Sequence, residues 1–401
     1  MASSKLESSL SMQFPFDILK GAAGYFSEVH SEHFESPKHF FFMSYLTCLG
    51  SLLSSRVQLK SSLKTRPRLY TILLGESASD RKSTALKESN NLFRNTFKEN
   101  YSYCLGVGSA EGLQRVFKKS YAYKFPGADI DDGPKQYSLN LTLDELKAFI
   151  SKCKIKGSVL LECVNSLFEA EEYENHTSKK ALILRDAHLS VLGASTIETY
   201  ESIYDSNFIS IGFPNRIFIV VGTAEVKHSI PPPISQNKIN KMKKDLKDIN
   251  DAIGLGHTFK VSKEAWETYD NWYLNLKRGS IHTKRLDGYC LRIMMLLAAN
   301  KLEGLITNEI AEDAIKLCDW EYEVRRLYDP IDADNNIARM EEKIRRHLLK
   351  SGGTCKDYSL KQKTNANRTG LWIYGKALEN LKAGNEIEWD KRDKTYTIIG
   401  E

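Results

Sequence analysis

Three consecutive side chains, Lys82-Ser83-Thr84, have the types that a phosphate-binding loop needs where its helix begins. In Gly-x-x-x-x-Gly-Lys-Ser/Thr the backbone N–H groups cradle the phosphates, the lysine neutralises them and the hydroxyl ligates magnesium. The stretch "LLGESASDRKSTALK" departs from that pattern twice. Arg81 stands where the second glycine belongs, and Gly75 lies one position too far upstream. A glycine before the lysine often takes a conformation that costs other residues free energy. The remaining requirements are met: Tyr70–Leu74 can deliver the backbone as a buried strand, Ser77-Ala78-Ser79 permits close approach, and a helix opens at Ser83 with its N-terminus toward the anion. Gly75, Ser79, Arg81, Lys82, Ser83 and Thr84 are therefore the candidate nucleotide contacts. For this stretch alone, an ordinary strand–turn–helix with a polar tip is an equal alternative.

Phosphoryl transfer also needs a carboxylate near the magnesium and usually another to position water. "LNLTLDE" supplies Asp144 and Glu145 at the C-terminal end of an apolar strand, where such groups belong in an open α/β sheet. Asp144 would act through the metal's water shell, and Glu145 would polarise the attacking water. The alternative makes Asp144 a helix N-cap. The next strand ends in "LGAST", placing Ser195 or Thr196 where a hydroxyl could sense the terminal phosphate or merely cap a helix. Arg216, just before the last strand, and Arg285 and Arg292, on a later helix, could touch that phosphate from a lid or a neighbouring subunit.

The elements that would position these residues follow from periodicity. Phe14 to Ser55 is helical, and Phe40–Ser55 is too short and hydroxyl-rich to span a bilayer, so it reads as a buried helix and not a membrane anchor. Strands are expected over 66–75, 101–108, 137–145, 187–196 and 215–222, with helices between them. That alternation indicates an α/β sheet, mostly parallel. The proline triplet in "SIPPPIS" marks a boundary. Beyond it the pattern is helical to about Tyr328, with lysines forming a solvated face. The chain thus divides into N-terminal helices (1–65), the core (66–228), a helical lid (229–330) and a tail (331–401). The tail runs helix, helix, terminal hairpin, which is the order of a winged helix. Lys361, Lys363, Arg368 and Lys376 would lie before or on the helix entering the DNA groove, and Lys391, Arg392 and Lys394 at the wing. Protein contacts, with the charges merely solvated, are the alternative for the tail.

Composition sets only loose bounds. With 401 residues, 41% hydrophobic and 27% charged, the chain is of the soluble globular kind, and a net charge of +6 permits a polyanionic partner without demanding one. Its 7 cysteines are scattered without a Cys-x-x-Cys pair, which fits a reducing cytosol, and the N-terminus shows no secretory pattern.

In that order, "LYTILLGESASDRKSTALK", "GVGSAEGL", "LTLDEL", "LSVLGASTIETY" and "GFPNRIFIVVG" resemble an uncharacterised P-loop ATPase family. It occurs in phages, plasmids and genomic islands, often beside or fused to primases, and is helicase-like. The resemblance implies a P-loop NTPase core of the RecA/AAA+ kind, and an Arg-Lys-Ser variant of the loop that the family tolerates. It places phosphate and magnesium on Lys82 and Ser83, metal and water on Asp144 and Glu145. The segment after the prolines is similar to the lid of minichromosome-maintenance-type hexameric helicases, where an arginine touches ATP in trans, a role falling on Arg285 or Arg292. ATP and Mg2+ are the implied cofactors. DNA, further copies of the chain in a hexameric ring, and a primase or replication initiator are the implied partners. Two other classes stay open: an initiator that uses ATP only as a switch, and an adaptor whose nucleotide site is dead.

Overall fold

The computed structural model describes residues 13–76, 80–124, 137–176, 181–204, 208, 211–253, 256–276, 280–331 and 335–399. Helices α1 (Gly21–His33) and α2 (Lys38–Leu53) come first. α2 is apolar all round, and Phe40, Phe41, Phe42, Leu46 and Leu49 are fully buried, so it runs inside the molecule and not on it. Thr47 of α2 hydrogen-bonds Thr71 at 2.7 Å. Among the described residues no helix is long and apolar enough to cross a membrane.

The chain continues through strand β1 (Val57–Leu59), strand β2 (Tyr70–Gly75), helix α3 (Lys82–Phe97), strand β3 (Tyr103–Leu105), helix α4 (Ala110–Lys124), strand β4 (Tyr137–Leu143) and helices α5 (Leu146–Cys153) and α6 (Leu160–Glu169). An antiparallel pair follows, β5 (Tyr173–His176) and β6 (Ala181–Leu184), then β7 (Ala187–Thr196), α7 (Ile197–Ile203) and β8 (Phe218–Val221). Five of these strands form one wholly parallel sheet in the order β3-β4-β7-β2-β8. β2 and β4 are buried along their whole lengths, β2 as an apolar run and β4 with Ser138, Asn140 and Thr142 buried between its leucines, as both faces of a covered parallel sheet require. The α/β expectation holds, with strands shorter at their ends than the apolar runs.

After the prolines come α8 (Gln236–Ala252), β9 (His257–Val261), α9 (Lys263–Asn275), α10 (Leu286–Asn300), β10 (Leu305–Ile306) and α11 (Asn308–Tyr328). This stretch is not purely helical, as its periodicity suggested. β9 pairs in parallel with both β1 and β10, making a second, three-stranded sheet. The lysines of α8 do form a solvated face, with Lys241–Asp245 and Lys244–Asp248 pairs each at 2.6 Å.

The chain packs as two compact units, one of Phe14–Ile203 and Ile211–Tyr322, the other holding Glu323–Glu401. The expected N-terminal, core and lid segments therefore share one unit. Asn300 of α10 accepts from the Ala23 N–H (2.6 Å) and donates to the Lys20 carbonyl (2.7 Å), tying α1 to the later helices. Gly21, at φ +67°, leaves the room this contact needs.

In the C-terminal unit, Asn335 caps α12 (Asn336–Lys350) by accepting from the Ile337 and Ala338 N–H groups. Then come β11 (Thr354–Lys356), α13 (Asp357–Lys363), the short turn α14 (Ala366–Thr369), α15 (Leu371–Ala383), β12 (Ile387–Asp390) and β13 (Thr395–Ile398). The strands form an antiparallel sheet in the order β11-β13-β12. Ile344, Leu348, Leu360, Ala377 and Leu381 build its core.

Two buried histidines make the larger unit acid-sensitive. Burial pushes both His30 and His39 down to about 4, and each gives a ring nitrogen to a backbone carbonyl, Phe26 and Val221 respectively. The unfolded chain takes up these protons near pH 6.5, so their stabilisation is complete above that pH and is lost as pH falls toward 4. Each should remove about 2 kcal/mol by pH 5. Urea titrations at pH 7 and pH 5 should show that loss, and a flat profile would contradict it.

Candidate functional site

The parallel strands β2, β4 and β7 end at Gly75, Leu143 and Thr196, on the same edge of the sheet. A cavity of about 430 Å3 opens there, lined by Arg81, Lys82, Ser83, Thr84, Asp144, Glu145, Ala194, Ser195, Thr196 and Thr199. Residues far apart in sequence thus converge as their spacing suggested.

Within the turn, Lys82 is 9% exposed, and its ammonium donates to the Glu76 carbonyl at 2.6 Å. Burial holds that ammonium below its ordinary range, while Asp80 and Glu76 act the other way. The Ser83 hydroxyl donates to Asp144 Oδ1, joining the start of α3 to the end of β4. Asp144 is therefore not the N-cap of α5; that position belongs to Glu145, whose side chain makes no capping bond. Among the described residues the Glu145 carboxylate has no hydrogen bond or ion pair, so it stands free at the cavity wall. Ser195 donates to the Thr196 carbonyl at 3.0 Å, and Thr196 Oγ1 accepts from the Thr199 N–H at 3.1 Å. Thr196 is thus the capping hydroxyl, and Ser195 the one turned along the wall. Ser79 lies outside the described residues.

Arg81 adopts the left-handed conformation, φ 45° and ψ 34°, at the N-cap of α3. That is the conformation for which a glycine was expected. It costs an L residue about 1–2 kcal/mol, and the solvent-exposed Arg81–Glu35 pair at 3.0 Å offsets little of that.

Gly75 serves a purpose that the spacing did not suggest. A Cβ there would come within 2.5 Å of Asp80 Oδ2, so the glycine makes room for that carboxylate. Asp80 is 1% exposed and binds the Glu76 N–H through one oxygen and the Ala224 N–H, at 2.8 Å, through the other. Asn90 is a second residue the sequence reading missed. Its amide donates to Thr142 Oγ1 at 3.1 Å and its oxygen accepts from Asn140 and Tyr101, locking α3 against β4 two residues before Asp144. The available signal was an asparagine four residues after Leu86 on the apolar face of α3.

The three arginines are not brought to this cavity. Arg216 precedes β8, and its Nη1 donates to the Ile211 and Gly212 carbonyls at 3.3 and 2.8 Å. Arg285 pairs with Glu169. Arg292, 3% exposed, donates to the Arg68 and Phe168 carbonyls, both at 2.9 Å, and lies over the Phe168 ring at 4.0 Å. Tyr289 donates to the Arg216 carbonyl at 2.7 Å and the Tyr70 carbonyl at 3.2 Å, which fixes this cluster at the opening ends of β2 and β8. The 6-residue strand β2, about 20 Å long, separates the cluster from the cavity.

In the C-terminal unit, Lys361 pairs with Asp357 (2.7 Å) and Lys376 with Glu379 (3.1 Å). Lys363, Arg368, Lys391, Arg392 and Lys394 carry no ion pair among the described residues. At the start of α15, Leu371 is 56% exposed and Trp372 beside it 70% exposed.

No family model matches the chain, and no curated protein matches it.

The strain at Arg81 is measurable. Arg81→Gly should leave the unfolding free energy within about 1 kcal/mol of the parent, since relief of strain offsets the freer unfolded chain and the lost ion pair. Arg81→Val should be less stable than Arg81→Gly by roughly 1–2 kcal/mol in urea, because a β-branched residue tolerates this conformation worst.

Proposed function

We propose that this chain is an ATP-hydrolysing, DNA-binding motor of the P-loop class, related to RecA and AAA+ proteins and to the helicase-like family its motifs resemble. It acts as a ring, hexameric as the resemblance implies, during replication of a mobile genetic element, with a primase or initiator as partner. One observation carries the reading: Lys82, Ser83, Asp144, Glu145 and Ser195 meet in a single cavity at the C-terminal ends of parallel strands. The strand order adds support, because β7 lies between the loop-bearing β2 and the carboxylate-bearing β4, which leaves room between the loop and Glu145 where an attacking water would stand.

The donor set fits magnesium. A hydroxyl and one carboxylate, hard oxygen donors already in contact at Ser83 and Asp144, are what that ion takes when phosphates and waters fill its other positions. When bound, magnesium would neutralise charge on the β- and γ-phosphates. Lys82, now resting on the Glu76 carbonyl, would swing onto those phosphates. Glu145, free of partners, would orient the attacking water and accept its proton. Ser195 would report on the γ-phosphate. The base would enter a neighbouring cavity of about 420 Å3, which shares Arg81, Ser83 and Thr84 and adds the rings of Phe34, His228 and Pro231 beside the charged Glu35, Lys87 and Glu88. Arg216 stands a strand's length from its own chain's cavity, so it would complete a neighbouring copy's site; this favours a ring. Arg292 is a strut, and Arg285, bound to Glu169, is the weaker candidate.

The helix–strand–helix–helix–strand–strand order of the C-terminal unit supports a winged helix. Its unpaired Lys363, Arg368, Lys391, Arg392 and Lys394 would meet phosphates. Exposed Leu371 and Trp372 favour a second reading, an ATP-switched initiator or adaptor that docks protein there.

DNA-stimulated ATP hydrolysis tests the motor. Lys82→Ala should abolish nucleotide binding, and Glu145→Gln should retain binding while hydrolysis falls at least a hundredfold. Binding without turnover in the parent would support the switch, and no binding at all the adaptor. Arg216→Ala and Lys82→Ala, each inactive alone, should regain part of the activity when mixed. No recovery would place Arg216 outside any shared site.

A further inference from the structure

Among the described residues the sheet ends at β3, which pairs there only with β4, and two cavities of about 750 Å3 each lie along this edge. They share Tyr103 and Leu105, so together they make one trench, and its near end is walled by Ser83, Asp144 and Glu145 of the candidate active site. Its long wall is one face of α3 and the turn after it, where Lys87, Asn91, Arg94 and Lys98 recur at helical spacing over about 16 Å. Lys119 from α4 and Lys152 from α5 add to the rim.

Charge and shape point the same way. Lys87, Arg94, Lys98, Lys119 and Lys152 are exposed and carry no ion pair among the described residues. Among the described residues, the only carboxylates lining the trench are Asp144 and Glu145 at its near end. The Tyr103 ring is held by Arg94, which donates to its hydroxyl at 3.2 Å and lies 5.8 Å from its centroid. Leu105 is 77% exposed, and a Cβ at Gly106 or Gly108 would touch nothing, so the floor is open to close approach. A basic groove with an aromatic face on its floor is what a nucleic-acid strand of any sequence requires. A peptide added to the strand edge would need no such excess of cations.

We propose that this trench, between the Lys87–Lys98 face of α3 and strand β3, holds a single-stranded nucleic acid, separately from the C-terminal unit. It deepens the proposed function and rests on that reading for its purpose, since the bound strand would end against Asp144 and Glu145. The chemistry of the groove stands independently of ATP.

The test uses full-length protein carrying Lys363→Ala/Arg368→Ala/Lys391→Ala/Arg392→Ala/Lys394→Ala, so that the tail contributes little, and a fluorescein-labelled oligothymidylate followed by anisotropy across a salt series. Adding Arg94→Ala/Lys98→Ala/Lys119→Ala should weaken binding at least tenfold at low salt. It should also lower the slope of log K against log [salt] by about 2, as expected for three lost phosphate contacts on a single strand. Tyr103→Leu should weaken binding roughly fivefold or more without changing the slope. Binding of a fluorescent ATP analogue, measured on the same variants, should not move. Loss of that signal in the parent would sink the nucleotide reading and leave the trench intact. An unchanged affinity and slope in the Arg94/Lys98/Lys119 variant would overturn the trench. So would a change confined to sedimentation, which would make the edge a contact between copies.

Discussion

A carboxylate taken out of water costs several kcal/mol unless donors satisfy it, and Asp80 is buried at the turn between β2 and α3. The N–H groups of Glu76 and Ala224 are its donors, so one side chain clasps the turn's entry and the chain just after β8. The rest of the cavity inherits that clasp. It demands a glycine at 75 and brings the Glu76 carbonyl to the Lys82 ammonium. With Asp80 turned inward and α3 opening at Lys82, the reversal falls on Arg81, which makes it in a left-handed conformation. The two departures from the glycine pattern thus belong to one arrangement: Gly75 accommodates Asp80, and Arg81 carries the strain.

The parallel sheet sorts the charged residues by end. At the closing ends of β2, β4 and β7 stand an ammonium, hydroxyls and two carboxylates around open space. At the opening ends, Arg68 and Arg292 are buried and satisfied largely by backbone carbonyls, with Glu169 as counter-charge. Removing either buried arginine would leave its backbone carbonyl partners unsatisfied in the interior, at about 1–3 kcal/mol for each such group, while Glu169, 55% exposed, adds little. Arg292 therefore belongs to the packing of α10 on the sheet. Arg216, half-buried and, among the described residues, bonded through its side chain to the Ile211 and Gly212 carbonyls of its own loop, is held less tightly.

What could be read in the sequence follows from what each signal measures. β2 and β8 were legible as compact apolar runs and β4 by the alternation of Leu139, Leu141 and Leu143, and Lys82, Ser83, Asp144 and Glu145 because parallel strand ends share an edge. The β1-β9-β10 sheet was not. Its strands are 3, 5 and 2 residues long, and Val57 pairs with His257 across the whole core, so no local pattern announces it. An arginine on an apolar helix gives no indication of which end of a sheet it will face, and Arg292 was misplaced for that reason. Asp80 and Asn90 were overlooked because their partners are backbone amides and distant hydroxyls, which periodicity does not record. Thr196, read as either sensor or cap, turned out to cap because the Thr199 N–H sits within reach.

Helix α3 joins what would otherwise be separate surfaces. Its first turn carries Lys82 and Ser83, its buried side carries Asn90, and its outer face carries Lys87, Asn91 and Arg94. Asn90 fixes the helix to β4 through Thr142 and Asn140, so the distance from Ser83 to Asp144 is set by the same contacts that set the width of the trench. A buried polar network of this kind has few satisfactory arrangements, since shifting the helix by one turn would strand every member. Position along α3 therefore cannot change at one surface alone. Whatever pulls on the outer face of the helix acts on the hydroxyl–carboxylate contact at its tip, and the route between them is a single rigid element about 24 Å long.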